Sequence, residues 1–369
     1  MIEALRPVAA ERWREARPDR PALAGALLIG AGKGESSKVS FLFMDASGRP
    51  ALVAKVARND VARRALDAEQ AALLAVRHTG SAAVASGAPE PLGRIEVDGR
   101  ATLLMSALDG RPLFGDYHTP GHTTDRATVA SDLRAAGDWL GAFQRETTSA
   151  RVPIDDAFVR AHVAPVLDRY REVIGWGPAE DELFGAVGER LARMEGITVP
   201  LVASHGDFWM GNLLLQGGRV TGVIDWEVAG MDFPPFRDLY KFPTSYAFYT
   251  DRAYPGRGGA VPNHPGREDR AGRWRRFGGW PNLLGFGYGF FGTGWFPDLV
   301  RGFVLGHLES IGVPAEVNAA FFPLFLAEQA TVLDVQEFRD GYRSLIRAFA
   351  AERETCWLWT HSGEGAPLR

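Results

Sequence analysis

The 369-residue sequence contains a single cysteine, Cys356, and lacks a strong charge of either sign. One cysteine excludes a disulfide within the chain and is typical of a protein from a reducing compartment. A formal net charge of −4 argues against a nucleic-acid partner, because nucleic-acid binders usually carry a strongly basic face. We interpret Cys356 itself as a buried apolar residue.

Long apolar segments are also absent. Charged residues from Glu3 to Arg12 interrupt the N-terminal segment, which therefore lacks the apolar core of a signal peptide. Residues 278–296 carry no charged side chain, but their many glycines and Pro281 disfavour a membrane-spanning helix. We therefore expect a cytoplasmic protein without a membrane partner.

Several catalytic motifs are missing. The glycine-rich segment Gly30–Ser37 is neither a Walker A sequence nor the Gly-x-Gly-x-x-Gly of protein kinases. The His-Arg-Asp, Asp-Phe-Gly and Ala-Pro-Glu segments of protein kinases are absent as well. Without a Gly-x-Ser-x-Gly elbow, Ser204, His205 and Asp207 would form a poor hydrolase triad, because near-adjacent side chains rarely point at one another.

Two segments that are present point to phosphoryl transfer. His205-Gly206-Asp207 is followed by Asn212, and Ile224-Asp225-Trp226-Glu227 comes next, with apolar strand-like residues between them. In phosphoryl transfer the protein mainly positions the reactants and neutralises developing charge. One carboxylate orients the attacking hydroxyl group. An amide oxygen and a second carboxylate hold Mg²⁺, a hard cation that prefers oxygen ligands.

These segments resemble the aminoglycoside phosphotransferase and choline kinase superfamily, which has a protein-kinase-like fold. The resemblance implies that Asp207 is the catalytic base and that His205 is a structural member of the catalytic loop. It also implies that Asn212 and Asp225 are the Mg²⁺ ligands. Asp238 matches the acid that braces this loop from the start of a helix. For Asp225 alone, an ordinary acid at a strand end is the alternative.

Lys55 and Glu69 are candidate nucleotide-binding residues. Lys55 lies at the end of the apolar strand 51–56, where a lysine is costly unless it has a partner. It resembles the ATP-anchoring lysine of the family. Glu69 lies in a predicted helix over residues 60–78, at a spacing suited to pair with Lys55. A solvated helix acid is the alternative interpretation of Glu69.

Two backbone segments complete the expected nucleotide site. Gly32, Gly34 and Ser36 lie in the glycine-rich loop, which could fold over ATP phosphates through its N–H groups and small hydroxyls. A plain hairpin turn is the alternative. By resemblance, Ser106 and Leu108 lie in the hinge between two lobes, where backbone groups would bond adenine.

The remaining pattern predicts an α+β, bilobal fold. We expect an N-lobe over residues 1–105, with an antiparallel sheet, and a mainly helical C-lobe over residues 106–369. Predicted elements include a first helix over residues 2–16 with Leu5, Val8 and Trp13 on one side. Aromatic residues between 285 and 296 are interpreted mainly as core.

The function expected from this resemblance is ATP- and Mg²⁺-dependent transfer of the γ-phosphoryl group to a hydroxyl of a small molecule. The acceptor could be an antibiotic, a sugar or an amino alcohol, and the sequence does not choose between them. The alternative is a kinase-fold nucleotide-binding module without turnover. Residues 252–280, rich in Gly, Pro and Arg, are interpreted either as a lid over the acceptor or as a surface insertion.

Overall fold

The computed structural model describes residues 1–31, 38–250, 274–332 and 335–360. Gly32, Gly34 and Ser36, and most of the predicted lid over residues 252–280, lie outside the described residues. Among the described residues, no helix is both long enough and apolar enough to cross a membrane.

The described residues form two compact units. The first unit consists of Met1–Leu113, His205–Asp207 and Gly211–Met231. The second consists of Phe114–Ser204, Phe208–Met210 and Asp232–Arg369. Residues His205–Asp207 and Gly211–Met231 thus belong to the first unit, although they are far from its other residues in sequence. The domain boundary expected near residue 105 stays a prediction.

The strands of the described residues, in chain order, are β1 (Leu23–Ala31), β2 (Lys38–Asp45), β3 (Pro50–Ala57), β4 (Pro91–Val97), β5 (Arg100–Ser106), β6 (Arg111–Pro112), β7 (Ala150–Pro153), β8 (Thr198–Ser204), β9 (Leu213–Gln216), β10 (Arg219–Val223) and β11 (Gly230–Phe233). In the first unit, an antiparallel sheet has the order β1-β2-β3-β5-β4, and a smaller sheet has the order β10-β9-β6. In the second unit, β7 pairs with β8.

The helices are α1 (Ile2–Ala16), α2 (Asp60–His78), α3 (Ala82–Gly87), α4 (Leu113–Tyr117), α5 (Arg126–Glu146), α6 (Asp156–Phe158), α7 (Ala164–Val173), α8 (Pro178–Arg193), α9 (Phe236–Phe248), α10 (Asn282–Phe291), α11 (Trp295–Ser310), α12 (Asn318–Val332), α13 (Gln336–Glu352) and α14 (Trp357–Thr360). Most of them belong to the second unit. The expected α+β class, with an antiparallel N-terminal sheet and a mainly helical C-terminal part, is confirmed.

The pleat of the five-stranded sheet separates its two faces. Ser40 on β2 lies opposite Lys55 on β3, and Leu42 lies opposite Val53. Because side chains alternate along a strand, these four residues share one face. Their neighbours Phe41, Phe43, Leu52, Ala54 and Val56 lie on the other face, in an apolar core that includes α1. The sheet therefore has a core face and a face that carries Lys55.

Helix α1 covers the core face through Leu5, Ala9 and Trp13, which are buried. These residues are four apart and so lie along one side of the helix. The expected stripe included Val8, but Val8 is only partly buried. The reason is that the buried side of the helix runs through Leu5, Ala9 and Trp13, and Val8, one residue before Ala9, lies at the edge of that side.

The second unit has a core of aromatic rings. Phe286 and Phe290 of α10 are fully buried, and Phe322 of α12 lies 4.9 Å from Phe290, measured between ring centroids. Glycine is required in α10 because its backbone approaches other residues closely: a Cβ at Gly285 would lie 2.0 Å from the carbonyl oxygen of Ala247. The glycine and aromatic residues of this segment therefore serve packing.

Candidate active site

The loop between β8 and β9 is anchored by a buried histidine. The Nε2 atom of His205 lies 2.9 Å from the carbonyl oxygen of Ile224. A carbonyl only accepts, so Nε2 carries the hydrogen and Nδ1 is left as an acceptor. Nδ1 accepts the backbone N–H of Asp207 at 3.3 Å. The ring also contacts Trp226 edge to face at 4.7 Å between centroids. His205 thus ties the Asp207 loop to the end of β10.

Asn212 orients Asp207. Its Nδ2 atom donates to the carbonyl oxygen of Asp207 at 2.9 Å and to the carboxylate Oδ2 at 3.1 Å. Both bonds use the amide nitrogen, and within the described residues the amide oxygen of Asn212 makes no hydrogen bond. One side chain therefore fixes the direction of the carboxylate and leaves an oxygen with which to bind a cation.

Lys55 lies between two carboxylates. Its ammonium group is 2.5 Å from Oε1 of Glu69 on α2 and also bonds to Oδ1 of Asp225. Glu69 is fully buried, whereas the Asp225 side chain keeps 46% of its surface exposed. Burial alone would lower the pKa of Lys55, but the charges of Asp225 and Glu69 outweigh it and raise that pKa. Lys55 is therefore a fixed cation at neutral pH.

Asp225 has an unusual backbone as well as a shifted pKa. Its φ of 63° lies in the left-handed region, which few residues other than glycine adopt. Burial would raise the pKa of its carboxyl, but the charge and hydrogen bond of Lys55 lower it, and so does the charge of Lys38. The residue is thus an ionised acid on a strained turn, and strain of this kind is concentrated at functional sites.

The cluster around Lys55 has an excess of negative charge. Two carboxylates face one ammonium group, and Oε2 of Glu69 is buried without a hydrogen-bond partner among the described residues. Nowhere in the described part of the chain do three or more His, Cys, Asp or Glu side chains form a group that could hold a metal ion. The donor set of Asn212 and Asp225 fits Mg²⁺, which keeps several waters and takes phosphate oxygens as further ligands.

A cavity of about 450 Å³ in the first unit ends at Lys55 and Asp225. Its remaining lining is mostly apolar and includes Leu42, Val53 and Leu108. Ser106 and Ala107, which follow β5, also line it. The cavity therefore has one apolar end and one charged end.

The segment after β5 is held by backbone hydrogen bonds. Ser106 donates its N–H to the carbonyl oxygen of Glu90 at 2.8 Å, and Ala107 donates to Ala51 at 3.0 Å. No described backbone hydrogen bond uses the N–H of Leu108. Gly222 makes room for this residue, since a Cβ there would lie 2.9 Å from the Leu108 side chain. Leu108 is thus packed on β10, with an N–H that a ligand can use.

An ion pair between Lys38 and Glu227 was missed by the sequence reasoning. Lys38 is the first residue of β2, and Glu227 lies two residues beyond Asp225. Their side chains are 12% and 29% exposed. Burial and the charge of Lys55 lower the pKa of Lys38. Its position directly after the glycine-rich loop was the signal available in the sequence.

In the second unit, residues before and after the loop that contains His205 and Asp207 are bonded to each other. Ser204, next to His205 in sequence, donates through Oγ to Oδ2 of Asp238 at 3.1 Å. Asp238 is buried in the first turn of α9. Gln144 of α5 donates to the carbonyl oxygen of Pro235 at 2.9 Å, just before this helix. The expected bracing acid is therefore bonded to the residue that precedes the loop.

Three comparisons place these observations among known proteins. A profile described as the phosphotransferase enzyme family matches residues 29–258. A crystal structure of a thermostable mutant of aminoglycoside phosphotransferase APH(4)-Ia, in complex with AMP-PNP and hygromycin B, is similar with a TM-score of 0.52. It is 17% identical, over 93% of this chain and 97% of that one. A comparison with curated proteins finds no match.

A second solved structure is macrolide 2'-phosphotransferase MphH from Brachybacterium faecium, with a TM-score of 0.44 and 19% identity over 94% of this chain and 97% of that one. At these identities, structural similarity speaks only to the fold, and the APH(4)-Ia match supports the kinase-like class. The family profile covers more than half of the sequence and includes Lys55, Asp207 and Asp225. The chain therefore belongs to the phosphotransferase enzyme family.

Proposed function

We propose that the protein transfers the γ-phosphoryl group of ATP to a hydroxyl group of a small molecule. The observation that carries this proposal is Lys55, held between Glu69 and Asp225 at the charged end of an otherwise apolar cavity. An apolar cavity with a few convergent polar groups is the usual form of a small-molecule site. A nucleotide, with a flat base and a charged tail, matches both ends.

The base would occupy the apolar end of the cavity. There the N–H of Leu108 is available to an acceptor nitrogen of adenine, beside Ser106. The phosphates would then lie against Lys55, whose ammonium group is a compact point charge suited to phosphate oxygens. Glu69 keeps that ammonium in place from the buried side.

Asn212 and Asp225 would hold Mg²⁺. The amide oxygen of Asn212 and the half-exposed carboxylate of Asp225 are oxygen donors of the kind that Mg²⁺ prefers. When bound, the ion would offset the charge of the phosphate oxygens. The strained backbone of Asp225 supports this role, because it sets the carboxylate at a turn rather than along a strand.

Asp207 would act as the base that orients the attacking hydroxyl and accepts its proton. The Asn212 amide group directs its carboxylate, and His205 holds its backbone N–H. A base held in this way is ready before the acceptor arrives, which is how positioning lowers the barrier. His205 would contribute only through the loop, because both ring nitrogens already have partners.

The acceptor would meet a group of aromatic rings in the second unit. Trp209 follows Asp207 by two residues and contacts Phe114 at 5.4 Å between centroids. Phe114 in turn contacts His118 at 4.3 Å and Tyr249 at 5.9 Å. All four rings are only partly buried. Partly exposed rings of which one, Trp209, follows Asp207 so closely in sequence would favour an acceptor that presents an apolar or ring face next to its hydroxyl.

A nucleotide-binding module without turnover is the second candidate. If the protein is such a module, it should bind nucleotide but form no phosphorylated product. The hydrogen bond from Asn212 to the Asp207 carboxylate favours turnover, because nucleotide binding alone gives no reason to orient that acid.

The test is a screen of hydroxylated small molecules with ATP and Mg²⁺, in which products are identified by mass spectrometry. Aminoglycosides, macrolides, sugars and amino alcohols should be included. Asp207→Asn should lower turnover by about 10²–10⁴-fold, the usual contribution of a general base, and leave nucleotide affinity nearly unchanged. Mg²⁺ should raise nucleotide affinity in the wild type but not in Asp225→Ala. Equal turnover in Asp207→Asn and wild type would contradict the assignment.

A further inference from the structure

Lysine is rare in this chain. The sequence has four lysines, Lys33, Lys38, Lys55 and Lys241, against 37 arginines. Arginine offers a planar fork that suits surface carboxylates, whereas lysine is a compact point charge with three donors. A chain that uses arginine almost everywhere, yet places two lysines on neighbouring strands, has a local need for compact cations.

The two lysines Lys38 and Lys55 lie on the same face of the five-stranded sheet. Ser40 is directly opposite Lys55, and Lys38 lies two residues before Ser40 on β2. Residues two apart on a strand share a face and are separated by roughly 7 Å. Lys38 is therefore one pleat beyond Lys55, on the face that lines the cavity.

The positions along this face follow the shape of a nucleotide. Leu42 and Val53 line the apolar part of the cavity, and Ser40 and Lys55 line its charged end. Lys38 comes next in the same direction. A nucleotide with its base at Leu42 and its inner phosphates at Lys55 would extend its terminal phosphate toward Lys38.

Glu227 holds the ammonium group of Lys38. The two side chains form an ion pair, although 189 positions separate them in sequence. Both are only partly exposed, so the pair is formed with limited solvent screening. An ammonium group has three donors, and one bond to Glu227 leaves others for a phosphate.

We propose that Lys38 is a second phosphate-binding cation that recognises the terminal phosphate of a nucleoside triphosphate, and that Glu227 is the positioning residue that holds it. This inference rests on the proposed nucleotide site. It makes Lys38 the residue that distinguishes a triphosphate from a diphosphate, whereas Lys55 binds both.

The experiment measures Kd for ADP and for non-hydrolysable AMP-PNP by calorimetry, with and without Mg²⁺. In Lys38→Met, AMP-PNP affinity should fall by about ten-fold or more, as expected for one lost charge-assisted hydrogen bond. ADP affinity should change far less. Lys38→Arg should recover part of the difference. Arg63→Met is the matched control, because Arg63 forms an ion pair with Glu96 in the same unit but lies on α2 and not on the sheet face that carries Lys55.

Glu227→Gln tests the positioning role. It should weaken AMP-PNP binding in the wild type and have no further effect in Lys38→Met. An effect that persists in that background would overturn the role of Glu227. Equal losses for ADP and AMP-PNP in Lys38→Met, or no loss, would overturn that of Lys38. A wild type that binds neither nucleotide would instead overturn the proposed function.

Discussion

Lys55 and Lys241 are buried to nearly the same extent, with relative exposures of 7% and 8%. Lys55, in the first unit, faces the carboxylates of Glu69 and Asp225. Lys241, in α9 of the second unit, donates to the neutral amide oxygen of Gln329 at 2.6 Å. The first lysine lies in a cluster with excess negative charge and beside a cavity. The second lies among packed helices.

The surroundings of a buried lysine thus indicate whether it can take part in ligand binding or only stabilises the fold. Two carboxylates around one ammonium group leave charge that a metal ion can neutralise, and Asp225 is exposed enough to meet one. Lys241 donates to the amide oxygen of Gln329, its charge also acts on the buried carboxyl of Glu328, and it does not line the cavity that Lys55 lines. We therefore expect changes at Lys55 to affect nucleotide use and changes at Lys241 to affect stability.

The largest effect should come from replacing the two lysines in turn. Lys55→Met should lower kcat/KM by about 10²–10³-fold, because it removes a fixed charge aimed at the phosphates. Lys241→Met should leave kcat/KM nearly unchanged and lower the free energy of unfolding by about 1–3 kcal/mol, since it leaves a buried amide oxygen without its donor. Steady-state kinetics below the melting temperature and urea unfolding measure the two quantities. Equal losses of kcat/KM in Lys55→Met and Lys241→Met would show that the two lysines do not differ in function.

A smaller effect is expected from Glu69→Gln, which keeps the shape of the side chain and removes its charge. Lys55 would still be held by Asp225, so we expect a loss in kcat/KM of about ten-fold, near the cost of one charge-assisted bond. In the double variant with Lys55→Met, the loss should be smaller than the two single losses combined.

Glu180→Gln is the control for Glu69→Gln, because Glu180 is a buried acid paired with Arg343 in the second unit. It should lower stability without changing the kinetics. Additive losses for Lys55 and Glu69 would show that the two residues act separately.

An effect that is confined to stability at acid pH concerns His307, in the second unit. Its Nε2 atom donates to Gln144 at 2.7 Å, while Nδ1 is buried without a partner among the described residues. Burial, together with the charge of Arg145, lowers the pKa of His307 to about 4. Protonation would place a second N–H where the described residues offer no acceptor. The folded state therefore favours the neutral ring.

Because the folded pKa lies below the unfolded value, this contribution is present above about pH 6.5 and is lost as the pH falls toward 4. The loss should reach up to about 3 kcal/mol at the acid end. Urea unfolding between pH 7 and pH 4 should show a shallower decline in His307→Gln than in the wild type. His78→Gln, at an exposed position, is the control. Parallel pH profiles for His307→Gln and the wild type would contradict this prediction.

Much of the first unit could be predicted from local pattern. The helices expected over residues 2–16 and 60–78 match α1 at Ile2–Ala16 and α2 at Asp60–His78. Both follow from helical periodicity, which is a short-range signal. In the second unit, the aromatic residues between 285 and 296 lie mainly in the core, as expected, but the close approach of Gly285 to Ala247 depends on contacts that no local pattern indicates.

The candidate site divides in the same way. The spacing of Asp207, Asn212 and Asp225 could be recognised in the sequence, because the loop and the strands after it are formed by residues that lie close together along the chain. Lys38 directly follows the glycine-rich loop, but no local pattern pairs it with Glu227, which lies 189 positions further along the chain. Gln144 carries no local signal either, yet it bonds to the backbone before α9 and accepts a bond from His307.

The sequence by itself predicted the family and the α+β class, which are both confirmed, since these depend on motifs and periodicities that local chemistry enforces; the catalytic role of the loop at His205–Asp207 stays a prediction. Apart from the pair of Lys55 and Glu69, which the sequence predicted, only the tertiary structure decided which charges meet in the candidate site. Asp225 reaches Lys55 across 170 positions and Glu227 reaches Lys38 across 189. Such pairs form because folding brings distant strands together, and the cost of burying one charge is offset only by whichever opposite charge the fold places beside it.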